Sequence, residues 1–133
     1  MKVFSPTGHG VSDCVLIIFL IMAPTATGFT GAYALACYLV AAAYVLVMLL
    51  TNFPLGIGRM PYRLHGRLEL ISGVVLLLSP FIWGFATANP TARNFFLVFG
   101  GALLLLWVLT DWSGQTRAEL TDDTTHNLVG RKL

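Results

Sequence analysis

The chain has 133 residues, 56% of them apolar and only 11% charged, with a mean hydropathy of +0.78. A water-soluble domain carries about a quarter charged residues, so this composition excludes an ordinary soluble globule. The formal charge of +2 is too small to indicate a nucleic-acid partner.

The charges are segregated along the chain. No Asp, Glu, Lys or Arg lies between Cys14 and Phe53, and only Arg93 lies between Leu70 and Leu109. Each block is long enough for two membrane spans of roughly 20 residues and a turn. The expected spans are about 12–29, 33–52, 65–85 and 92–112. A secretory signal is the competing reading of the N-terminus, but Lys2 is far from the apolar run and no A-x-A site follows it.

The expected organisation is a lead over 1–11, a two-helix repeat over 12–53 and a basic loop over 54–64. A second two-helix repeat over 65–112 and a polar tail over 113–133 complete it. Four spans put both termini and the central loop on one side, with Lys2, Arg59, Arg63, Arg67, Arg117, Arg131 and Lys132. Arg93 is alone on the other. That asymmetry predicts cytoplasmic termini, and the basic loop suits anionic lipid headgroups.

The repeat is read from spacing. His9, Gly10 and Asp13 recur 56 positions later as His65, Gly66 and Glu69. Pro24, Gly28 and Phe29 recur as Pro80, Gly84 and Phe85. The second arms end in T-N-F from Thr51 and T-D-W from Thr110, with an offset of 59. Both units start on the same side, which predicts parallel repeats about an axis along the membrane normal.

Within each unit the first helix carries an internal proline, Pro24 or Pro80. It frees the carbonyl four residues back, Leu20 or Leu76, and Thr25 and Ser79 are the nearby hydroxyls that can meet it. Gly28 and Gly84 fit helix ends, and Trp83 suits the outer headgroup level. The second helices carry small residues at their middles, Ala41 and Ala42, Gly100 and Gly101. These predict close helix crossings, with a pigment or quinone groove against the neighbouring aromatic residues as the sharper alternative. Cys14 and Cys37 differ too much in depth to bridge, so both are expected as free thiols.

Chemistry has few places to reside. No nucleophile–base arrangement or phosphate loop is present, so no catalytic residue is expected. His9 with Asp13, and His65 with Glu69, are four apart and share a helix face. The simplest expectation is pairing within each helix, with the acids favouring the positive helix start. Convergence of both pairs on an ion or a proton is the alternative.

These residues together resemble the SPW-repeat membrane proteins of bacteria and archaea. The family is described by a short repeat of two transmembrane helices with Ser-Pro-Trp in the first. Here Ser79-Pro80 is followed by Phe81, and the tryptophan comes at Trp83; the first copy reads Ala-Pro-Thr. The resemblance implies a fold and a prokaryotic inner membrane, and no activity.

The expected fold is therefore all-α, an integral membrane four-helix bundle of two tandem, parallel repeats. The expected role is a non-catalytic scaffold or accessory subunit that packs against a larger respiratory or photosynthetic complex. Its partners are membrane lipids and other membrane subunits, with no cofactor and no committed metal site. The alternative is a small transporter or ion-binding protein using His9, Asp13, His65 and Glu69.

Overall fold

The computed structural model describes residues 3–52 and 57–112. The expected polar tail, Lys2 and Phe53 lie outside the described residues. Four helices follow in order: α1 Pro6–Thr27, α2 Gly31–Leu50, α3 Tyr62–Ile82 and α4 Pro90–Leu109. All four are long and apolar enough to cross a membrane. Among the described residues there is no strand.

The helix ends follow from local chemistry. Ser5 caps α1 by accepting from the Gly8 N–H at 3.3 Å, and Pro6 occupies the first turn, where its missing N–H costs nothing. Helix α1 therefore starts well before the apolar run, and His9 lies in its opening turns rather than in a lead. Asn89 caps α4 through the Ala92 N–H at 2.9 Å, again followed by proline. Gly28 ends α1 with φ 71°, and Gly84 follows α3 with φ 70°; only glycine takes this left-handed conformation without strain.

Each internal proline leaves a carbonyl to satisfy. Ser79 Oγ donates to the Leu76 carbonyl at 2.7 Å, the group that Pro80 frees. In α1 Thr27 Oγ1 donates to the Ala23 carbonyl at 2.7 Å, which is not the Leu20 carbonyl that Pro24 frees.

Helices α1 and α2 pack as one hairpin, and α3 and α4 as another. The starts of α1 and α3 meet the ends of α2 and α4 at one end of the bundle. Two short backbone pairings tie that end. Phe4 donates to Leu109 O at 3.1 Å and accepts from Asp111 at 3.0 Å. Met60 donates to Leu50 O at 2.8 Å and accepts from Asn52 at 2.8 Å. At the opposite end Phe29, Tyr33, Phe85, Phe95 and Phe96 form an aromatic layer with centroids 5.3–6.5 Å apart.

The closest helix crossing is between α3 and α4. A Cβ on Gly100 would stand 2.6 Å from Leu77 N and 2.8 Å from Gly73 O, so backbones touch there. Only part of the expected small-residue stripe serves this purpose. Ala41 is buried, but Ala42 is exposed, and a Cβ on Gly101 would meet nothing within 4 Å. The partner of Gly100 is Gly73, which the alignment of the two halves does not single out. Cys14 and Cys37 are free thiols.

Candidate metal centre

At the tied end, four side chains from two hairpins converge: His9 and Asp13 from α1, His65 and Glu69 from α3. All are buried, at 1–3% exposure. Of the pairs expected within each helix, His9–Asp13 forms, with Nε2 3.5 Å from Oδ2. His65 pairs instead with Asp13, its Nε2 3.2 Å from Oδ2, and Glu69 Oε2 lies 3.3 Å from His9 Nε2. Each histidine thus reaches an acid of the other hairpin.

The outer nitrogens are held by two threonines. His9 Nδ1 is 2.9 Å from Thr110 Oγ1, and His65 Nδ1 is 2.9 Å from Thr51 Oγ1. Each threonine hydroxyl spends its single proton on a helix carbonyl, Leu106 at 2.7 Å or Val47 at 2.6 Å. It therefore accepts from the imidazole, so Nδ1 carries hydrogen and Nε2 is the ring nitrogen turned towards the carboxylates. Sequence reasoning used Thr51 and Thr110 only as markers of the repeat. Their recurrence beside the recurring histidines was the signal that they belong to the site.

Tyr62 and Trp112 close the cluster. The Trp112 ring lies 4.7 Å from the His9 ring and 4.9 Å from Tyr62, and its Nε1 donates to Trp107 O at 2.9 Å. A Cβ on Gly66 would stand 2.6 Å from this ring, so glycine is needed for the tryptophan to sit there.

Both Nε2 atoms and all four carboxylate oxygens are buried without a hydrogen-bond partner. Each such atom costs about 1–3 kcal/mol, and more when charged. The space between His9, Asp13 and His65 has no room for a water-sized sphere, so no water sits between these three. The contact lengths discriminate further. Charge-assisted N–H to carboxylate bonds run about 2.7–2.9 Å. Ligands about 2.0–2.2 Å from one tetrahedral ion stand about 3.3–3.6 Å apart, and the three His–acid contacts lie at 3.2–3.5 Å. One ligand atom from each of His9, Asp13 and His65 lies within 4.8 Å of the others; Glu69 lies outside this group, 3.3 Å from His9 Nε2. Neutral imidazoles, two carboxylates and one dication sum to zero charge, the balance that a low-dielectric site favours.

The residues of the repeat motif sit elsewhere. Pro24, Gly28, Phe29, Ser79, Pro80, Trp83, Gly84 and Phe85 lie at or near the aromatic end, about 22 Å along the helices at 1.5 Å per residue. Comparison with known proteins gives no matching family model, no matching curated protein and no matching solved structure.

Proposed function

We propose that this chain is a non-catalytic integral membrane scaffold whose two hairpins are stapled by one structural zinc-class ion. The observation that carries it is the buried cluster of His9, Asp13 and His65, whose ligand atoms lie within 4.8 Å of one another and whose Nε2 and carboxylate atoms lack hydrogen bonds. The burial of His9, Asp13 and His65, with Glu69 beside them, favours a structural centre over one that keeps a position open to substrate. The threonine bonds to Nδ1 are the outer-shell contacts that orient metal-binding histidines. Imidazole and carboxylate donors without thiolate suit zinc and also admit iron or manganese. A cavity of about 180 Å³ between α2 and α3 reaches His65 and Glu69, which supplies the access path a metal needs.

In this reading the two hairpins are tandem, parallel repeats in a prokaryotic inner membrane, with cytoplasmic termini and the ion at the cytoplasmic end. The matching spacings of the two halves and the SPW-like motif residues support it. Wide apolar exposure on all four helices supports lipid or a larger membrane complex as its surroundings.

The test is elemental analysis of protein purified in mild detergent without added chelator. About one zinc per chain is expected, lost in a His9→Ala/His65→Ala variant. A protein that is folded and metal-free, with thermal stability indifferent to a strong chelator, overturns the proposal. Mass spectrometry of co-purifying chains tests the accessory role separately.

A further inference from the structure

The two hairpins meet along two junctions, and these are filled differently. Where α1 meets α4, Phe19 stacks on Phe95 at 5.9 Å and on Phe99 at 6.2 Å. Phe95 and Phe99 are themselves 5.9 Å apart, and all three ring planes lie within 18° of one another. Three near-parallel rings close that junction. The corresponding positions where α2 meets α3, read with the offsets of 56 and 59, are Val75, Ala36 and Val40. The rings are absent, and a groove of about 510 Å³ stands between the same residues. Its volume lies in the range of small-molecule sites.

The groove keeps aromatic walls although its filling is gone. Tyr33, Trp83, Phe85 and Phe96 line it together with the buried Ser79. Tyr33 and Phe85 meet edge to face at 5.3 Å, and Phe85 meets Phe96 at 5.7 Å. Such walls favour a flat ring, through offset or edge contacts at about 4.5–7 Å. Trp83 is 65% exposed and Val75 is 43% exposed, so the groove is reached laterally from the surface that the membrane reading gives to lipid.

We propose that the α2–α3 groove binds one membrane-resident ring compound of the quinone class, its ring taking the place of the missing phenylalanine rings. The Tyr33 hydroxyl and the Trp83 indole N–H are the donors that a ring carbonyl needs, the Ser79 proton being given to Leu76 O. The inference rests on the membrane reading but is independent of the metal centre, which lies at the other end of the bundle.

The sister junction supplies the test. An Ala36→Phe/Val40→Phe/Val75→Phe variant carries the three residues that fill the α1–α4 junction. Detergent-purified protein is titrated with a short-tailed benzoquinone and with a saturated phosphatidylglycerol, and the native extract is analysed for ring compounds. Saturable quinone binding near one per chain is expected in the wild type, weakened at least about tenfold in the triple variant, with its zinc content and helicity unchanged. Should the triple variant misfold, Ala36→Phe alone serves, with the same direction of effect. Equal quinone binding by wild type and filled variants overturns the proposal. So does a groove that takes only phospholipid chains, or quinone binding that never saturates. Zinc content read in the same samples separates failure here from failure of the metal reading.

Discussion

The threonine–histidine bonds allow a demanding test of the metal centre. Thr110→Val keeps the branched shape and removes the oxygen that His9 Nδ1 meets at 2.9 Å. His9 is 1% exposed, so its stranded N–H cannot turn to water. The cost is about 1–3 kcal/mol, which is a factor of about 5–150 in affinity. If the ring instead moves its proton to Nε2, that nitrogen loses the lone pair that binds metal. Either route predicts zinc affinity weakened about 10–100-fold, the range seen when outer-shell partners are removed. Thr51→Val is expected to act equally through His65, whose Nδ1 contact is also 2.9 Å. Thr110→Ser retains the hydroxyl and is expected to stay near wild type, which separates the histidine bond from the loss of packing. The assay is competition against a chromogenic chelator in detergent. Wild-type zinc affinity in both valine variants would refute the assignment of these hydroxyls, and with it the lone-pair geometry at Nε2.

The two carboxylates are expected to rank differently. Asp13 Oδ2 approaches both histidines while Glu69 approaches one, so Asp13→Asn should lose zinc more completely than Glu69→Gln; the reverse order in metal analysis would contradict the geometry. Gly100→Ala is expected to lower stability by about 1–3 kcal/mol, because a Cβ would meet backbone at 2.6 Å and helices α3 and α4 must part. Gly101→Ala, with nothing within 4 Å, should keep or slightly raise the melting temperature, since alanine favours a helix over glycine by up to about 1 kcal/mol, and equal losses in both would remove the close crossing. Cysteine placed at the exposed Ala88 should react with an impermeant reagent in intact cells and cysteine at Arg59 should not; the opposite pattern would invert the proposed topology.

Much of the architecture was legible in the residues alone. Four long apolar stretches separated by short polar ones leave a chain few options but four helices, since backbone groups in an apolar setting must be satisfied within the segment. The helix ends were legible where a residue has one dominant local preference, as at Gly28 and Gly84. Ser5 with Pro6 carried an equally local signal, but reading hydropathy alone placed the start of α1 too late. The recurrence of His9 and Asp13 as His65 and Glu69 marked four residues that the fold buries together. What the sequence did not decide was which of them meet. Spacing of four puts two side chains on one helix face, but it does not rank that neighbour against a group offered by another helix. The packing of the two hairpins brought Asp13 to His65 and Glu69 to His9, while Thr51 and Thr110 turned the rings to present Nε2. The same holds for the groove. Val75, Ala36 and Val40 look unremarkable along the chain, and their smallness acquires meaning only beside the junction where Phe19, Phe95 and Phe99 stack. Local preference and hydropathy act through neighbours in sequence, so they are written in it; contact choice depends on distances between segments, which only the folded arrangement sets.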